Sequence, residues 1–161
     1  MKTNKNFQSD KYITFQLNKQ NFAINVMKTK EVITIDEVIN FPDSPNYVKG
    51  IINLRGNIVP IVNLGEKFRF ETYFKLEDSK EQKVVIISIN GKEVGLLVEN
   101  VKQLITIEEE KISNTPEIAE NIRKKHIKGI GKLKDKLLII IDTNKIFSSK
   151  ELDTLNNLKN N

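Results

Sequence analysis

Apolar and polar positions in this chain alternate in short runs and seldom fall at helical spacing. In YITFQL (12–17), Tyr12, Thr14 and Gln16 interleave with Ile13, Phe15 and Leu17, the period-two pattern of a strand with one apolar face. Asn-Lys-Gln turns the chain into FAINV (22–26), which predicts a hairpin. MKTKEVITI (27–35) opens like a helical turn and ends as a β-branched strand. Pro42 and Pro45, with Asp43 and Ser44, mark a loop with a short helical turn starting near Ser44. Strands resume at KGIINL and IVPIVNL; Pro60, which has no N–H to donate, is expected at an edge or bulge.

LGEKFRFETYF reads as a helical turn and EDSKEQK as a solvated loop. KVVIISI and EVGLLVENV, joined at Asn90-Gly91, give the clearest hairpin signal, and VKQLITI extends it. EEEKISNTPEIAENIRKK is polar, a loop with a helical piece. HIKGIGKLKDKLLIIIDTNKIF supplies two more strands across Lys134-Asp135-Lys136. SSKELDTLNNLKNN closes the chain as an amphipathic helix, capped by Ser148 or Ser149, with Leu152, Leu155 and Leu158 along one side. Roughly ten short strands at close spacing predict a mainly β fold of the barrel or sandwich kind. Two five-stranded barrels account for the count, because closing a sheet removes exposed edges. No internal repeat marks the two lobes.

Composition narrows the function. A chain of 161 residues buries enough surface to need no staples, and the absence of cysteine excludes disulfides and thiolate metal sites. The first dozen residues lack an apolar segment after their lysines, so no signal peptide is expected. The longest apolar run, Leu137–Ile141, is far short of the about 18 residues that span a bilayer. These features together predict a soluble cytoplasmic protein.

The net charge of +5 invites a nucleic-acid reading. Yet only Arg55, Arg69 and Arg123 among the 26 basic residues are arginine, and the lysines are scattered among carboxylates. The aromatics Tyr12, Phe15 and Phe22 sit in apolar alternation instead of interleaving with basic residues on one face. A basic nucleic-acid-binding barrel is therefore the alternative reading.

Catalytic chemistry has few candidates. His126 is the single histidine and has no thiol to work with, and the serines lie outside any nucleophile-elbow context. Gly129-Ile130-Gly131 lacks the third glycine and the strand-to-helix setting of a dinucleotide fingerprint. Glu108, Glu109 and Glu110 read as a solvated helix start. The residues call for no cofactor, no metal and no enzymatic step; what is left is an interaction protein.

One feature resists a purely structural account. In VKGIINLRGNIVPIVNL (48–64) an apolar run breaks at Leu54-Arg55-Gly56-Asn57 and then resumes. Turn chemistry explains Gly56 and Asn57 but not Arg55.

This run, with FAINV, Lys28-x-x-Glu31-Val32, VVIISINGKEVGLLVENVKQLITI and HIKGIGKLKDKLLIIID in order, resembles the CheW coupling proteins of bacterial chemotaxis. The resemblance covers nearly all of Tyr12 to Phe147. It implies two five-stranded β-barrel lobes around a shared hydrophobic core, over 12–147, between a flexible N-terminus (1–11) and a C-terminal helix (148–161). It implies a non-catalytic scaffold that links the cytoplasmic tips of methyl-accepting chemoreceptors to the regulatory domain of the histidine kinase CheA. A paralogue serving a non-flagellar chemosensory pathway has the same implied fold. Carried over residue by residue, it assigns Ile13, Val26, Thr29 and Val32 to a receptor groove, with a hydroxyl at Thr29 where the family often has an apolar residue. It places Glu31 and Arg55 on the partner-facing side as a pair, with Gly50 and Gly56 letting the backbone turn tightly or be closely approached, and matches Gly50 and Gly131 to glycines whose replacement is expected to disturb coupling by backbone strain.

Overall fold

The structure, a computed structural model, describes residues 9–35, 37–68, 82–113 and 126–159. Its strands are β1 (Ser9–Leu17), β2 (Gln20–Asn25), β3 (Thr29–Ile33), β4 (Val48–Leu54), β5 (Asn57–Asn63), β6 (Gln82–Ile89), β7 (Lys92–Glu99), β8 (Ile105–Glu108), β9 (Ile112–Ser113), β10 (Ile127–Leu133) and β11 (Lys136–Ile141). Two α-helices accompany them, α1 (Leu64–Phe68) and α2 (Ser149–Lys159), with short 3-10 turns that include Val26–Lys28 and Glu109–Lys111.

Strand pairing separates the sheet into two halves. The first runs β4-β5-β7-β6-β3 and the second β8-β1-β2-β11-β10-β9. Among the described residues a single opposed pair, Gln16 and Glu99, joins them. Neighbours are antiparallel except β5 with β7 and β11 with β2, which run parallel. Among the described residues no ladder joins β3 to β4, or β8 to β9, so both halves are open. The mainly β fold is as expected, whereas two closed five-stranded barrels are not seen. The outer strands of the second half, β8 and β9, have four and two residues, too short to complete a ring.

Side-chain parity explains the apolar runs. On β6, Val84 and Ile86 face the core of the first half, with Ile52, Val59, Ile61 and Leu97. Val85 and Ile87 face a second, larger core that also takes Phe15, Leu17, Phe22, Ile24, Val62 and Leu96 from both halves. The second half has its own core of Tyr12, Ala23, Ile107, Leu138 and Ile140. A strand buried on both faces has no polar alternation to show, which is why VVIISI, GLLV and LIII (138–141) read as continuous apolar segments.

Three hairpins close through two-residue turns with both φ angles positive: Asn18-Lys19 (51°, 68°), Arg55-Gly56 (52°, 90°) and Asn90-Gly91 (53°, 79°). This left-handed pair of conformations matches the twist of the flanking strands. Pro60 stands opposite Ile51, just before the Ile61–Asn63 stretch of β5 that also pairs with β7, so at Pro60 itself β5 has one ladder partner. His126 precedes β10 and is buried, its Nδ1 2.8 Å from the Lys145 carbonyl oxygen and its ring stacked on Phe68.

Two expectations change. The short helical turn expected near Ser44 is a single hydrogen-bonded turn and not a helix: the Val48 N–H donates to the Pro45 carbonyl (2.9 Å), β4 begins at once, and the Ser44 hydroxyl donates to the Phe41 carbonyl (2.7 Å). The 101–107 segment does not extend the β6–β7 hairpin; β8 crosses to pair with β1, Tyr12 opposite Ile105. The expected helical continuation past Phe68 and the helical piece in 114–125 lie outside the described residues, as does the loop expected at 77–83 up to residue 81; its last two residues, Gln82 and Lys83, instead open β6 and pair with Glu99 and Val98.

The C-terminal helix is anchored by chemistry legible in its sequence. Ser148 caps it: the Glu151 N–H donates to Ser148 Oγ (3.1 Å) and the Ser148 N–H to Glu151 Oε1 (2.8 Å), a reciprocal box. Leu155 and Leu158 enter the shared core. Glu151 also meets Lys67 of α1 (3.4 Å), whose side chain is only 9% exposed. The Lys67 ammonium lies over the rings of Tyr47 (5.2 Å) and Phe147 (5.6 Å), a cation between two aromatic faces. Burial, with the Glu151 charge adding to it, pushes the Tyr47 hydroxyl up to about 12. Burial also disfavours the Glu151 carboxylate, but the Ser148 N–H and the Lys67 ammonium outweigh it and lower its pKa.

A depressed folded-state pKa gives stability that is present above the unfolded carboxylate value and is lost as pH falls through the folded one. The melting-temperature gap between wild type and Glu151→Gln is therefore expected to shrink from pH 7 down to about pH 3. Lys67→Met keeps the apolar stem but strands the Glu151 carboxylate, and should cost about 2 kcal/mol in urea unfolding at neutral pH.

Candidate functional site

Arg55 and Gly56 form the two-residue turn between β4 and β5, with Leu54 opposite Asn57. The Gly56 N–H donates to Asn53 Oδ1 (2.8 Å), fixing the turn from within. A left-handed φ of 52° is uncommon for a long side chain, though Lys19 and Lys134 also take left-handed φ values in turns of this chain; the Asn90-Gly91 turn meets the same demand with asparagine, which tolerates it better. Arginine held in this conformation points to a use for its side chain.

That side chain reaches Glu31 of β3. Arg55 Nη2 bonds Glu31 Oε2, and Nη1 makes a longer contact with Oε1 (3.4 Å), a fork meeting a carboxylate. The Glu31 hydrogen bond, then its charge, raises the Arg55 pKa further, and Glu93 contributes more weakly. The guanidinium stays largely exposed, so the pair orients a surface donor instead of holding the fold together.

A bulge in β3 sorts the other candidates. Thr29 stands opposite Ile87 and Val32 opposite Val85, whereas Glu31 stands opposite Ile86. The extra residue, Lys30, breaks the strict alternation and turns Thr29 and Val32 to one face and Glu31 to the other. The 3-10 turn Val26–Lys28 packs against β1, β3 and β6, and Ile13 of β1 is buried opposite Ile24. Val32 is exposed along the same face as Thr29. The Thr29 hydroxyl donates to the Val26 carbonyl (2.9 Å), so it is satisfied within its own turn. A hydroxyl at this position is therefore compatible with an apolar groove.

The two remaining glycines differ. A Cβ on Gly50 would overlap the Ile39 carbonyl oxygen and lie 2.6 Å from Val38 Cγ1, at a φ of 153°. Gly50 lets the 37–41 segment cross closely over β4, where Ile39 and Ile51 exchange backbone hydrogen bonds. Gly131 has no positive φ and lies in the second half, away from the Arg55 turn. A Cβ there would sit 3.3 Å from Ile140 Cδ1 and 3.4 Å from Ile107 Cδ1. The expectation of backbone strain is corrected at Gly131, where the constraint is side-chain crowding.

Four residues beside Arg55 escaped the sequence reading: Lys30, Ile58, Lys92 and Glu93. Because β5 and β7 run parallel, the turns that precede them lie at the same end of the first half. A groove of about 450 Å³ separates the turns, lined by Lys30, Gly56, Asn57, Ile58, Lys92 and Glu93. Lys30 Nζ and Glu93 Oε2 are 3.7 Å apart across it. The Asn-Gly turn was visible in the sequence, but the parallel pairing that sets it beside Arg55 was not. A larger cleft of about 670 Å³ between Val101–Ile105 and Leu133–Leu138 contains none of the candidate residues. Among the described residues no cluster of histidine and carboxylates has the makings of a metal site.

Comparison with known proteins places this geometry. The model of the CheW-like domain matches residues 11–151. The chemotaxis protein CheW of Treponema pallidum is 33% identical over 147 residues, covering 91% of this chain and 86% of that protein. That of Klebsiella aerogenes is 29% identical over 147 residues, covering 91% of this chain and 87% of that protein. The crystal structure of the scaffolding protein TtCheW from Thermoanaerobacter tengcongensis aligns with a TM-score of 0.79 at 28% identity, covering 94% of this chain and 96% of that one.

Three substitutions separate backbone need from side-chain use. Gly50→Ala should lower stability by about 3 kcal/mol or more, against about 1 kcal/mol for Gly131→Ala, read from urea midpoints. Arg55→Asn removes the fork but suits the left-handed turn, so its melting temperature should equal or exceed that of wild type.

Proposed function

This chain belongs to the CheW family and is a chemotaxis coupling scaffold, and on that premise we propose that it links methyl-accepting chemoreceptors to the histidine kinase CheA. Receptor state would then control kinase autophosphorylation through a protein that performs no chemistry itself. The match over residues 11–151 is the observation that carries this reading. It needs two surfaces. The Glu31–Arg55 turn meets the kinase's regulatory domain, and the face of Ile13, Val26, Thr29 and Val32 receives the receptor tip, a helix laid into an apolar groove.

In the same reading each open half-sheet, with its private core, is one lobe, and 12–147 is the unit that both partners engage. The chain works in the cytoplasm and reaches the membrane only through the receptors; among the described residues no helix is long and apolar enough to cross one. Gly50 and Gly56 serve by shaping the turn and the crossing segment, and Gly131 by preserving the second half.

Capture of CheA from the same organism, with and without a receptor cytoplasmic fragment, tests the proposal. Wild type should enter a ternary complex and raise kinase activity, while Arg55→Asn folds and fails to do so. Wild type that captures neither partner would leave the fold assigned and the circuit wrong.

A further inference from the structure

Three charged side chains, Lys30, Lys92 and Glu93, line the groove between the two turns around one exposed apolar residue, Ile58, and the charges do not cancel. Glu31 is held by Arg55, and Glu93 lies 3.7 Å from Lys30. Lys92, the first residue of β7 after the Asn90-Gly91 turn, is exposed and has no ion-pair partner among the described residues. Ile58 lines the same groove and is 39% exposed. Gly56 and Gly91 are both at the rim, so no side chain from either position fills the space between the turns.

We propose that this groove takes a segment of the kinase that presents a carboxylate beside an apolar side chain, with Lys92 receiving the carboxylate and Ile58 the apolar group. The inference rests on the kinase-facing role given above to the Glu31–Arg55 turn and names the chemistry that this face selects. Glu93 in the groove and Glu31 beside it are both engaged within the protein, so an incoming carboxylate meets an uncommitted cation and little repulsion. An incoming lysine or arginine would face Lys92 with no carboxylate left to answer it. Arg55 and Lys30 act here as positioning residues, because each is tied to its own glutamate. A charge of this kind at an exposed rim acts mainly on the association rate and is screened by salt.

Binding of the full chain to CheA from the same organism, measured at about 50 mM and 500 mM salt, tests this. Lys92→Gln should weaken binding about threefold and Lys92→Glu about tenfold or more at low salt, with the differences collapsing at high salt. Arg55→Asn should bind weakly at both concentrations. Thermal melts of each variant establish that the fold is kept, as expected for an exposed position; if Lys92→Glu fails to fold, Lys92→Gln decides. Lys92 variants that bind like wild type while Arg55→Asn does not would overturn the role of Lys92 and leave the kinase-facing turn intact. Wild-type binding by Arg55→Asn as well would overturn the kinase-facing turn itself and this inference with it.

Discussion

Val85 and Ile87 of β6 point into the core that the two halves share, while Val84 and Ile86 on the same strand point into the core of the first half. The sheet can hold such a strand only if something apolar lies on each side of it. In this protein the second layer is the other half of the same sheet, which returns Phe15, Leu17, Phe22 and Ile24 to the shared core. Among the described residues the halves have few backbone ties, a single opposed pair at Gln16 and Glu99. Their association therefore depends on apolar burial, the non-directional term that dominates folding. The C-terminal helix completes that core with Leu155 and Leu158, and the Lys67 ammonium between Tyr47 and Phe147 ties it in place.

With the sheet rigid and buried on both sides, the turns at its ends are where side chains become available to partners. The parallel pairing of β5 with β7 brings the Arg55-Gly56 and Asn90-Gly91 turns to one end. One carries the asparagine that its geometry favours; the other carries an arginine tethered by Glu31. The surface they form is small and built of charge with a single apolar residue. A scaffold whose partners must be exchanged or reset is well served by such a face, since exposed pairs give orientation and steering more than adhesion. The β3 bulge separates this charged face from the apolar one, because Lys30 turns Glu31 away from Thr29 and Val32.

Much of this was legible in the sequence, for physical reasons that differ by element. The Asn90-Gly91 hairpin and the Ser148 cap were legible because their chemistry is local, complete within four or five residues. The strands were legible as apolar runs, and the family followed from motifs spread over Tyr12 to Phe147. The Glu31–Arg55 pair was anticipated through the family resemblance; the side chains are 24 positions apart, and no periodicity links them. Where local signals misled, tertiary contacts had won. The 101–107 segment looked like an extension of its neighbour, but β1 offered the free edge it pairs with. Near Ser44 the chain closes one hydrogen-bonded turn and is then taken into β4 at Val48.

By itself the sequence determined the short strands, their hairpin turns, the capped terminal helix and the absence of cysteine chemistry, all properties of local patterning and composition. The tertiary structure alone decided that the sheet stays open in two halves, that β5 and β7 run parallel, and that Lys92 and Glu93 stand beside the Arg55 turn. It also decided which glycine is constrained by its backbone and which by its neighbours. Those outcomes rest on contacts between residues far apart in the chain, whose closeness follows from how apolar faces are shared and not from any short stretch of residues.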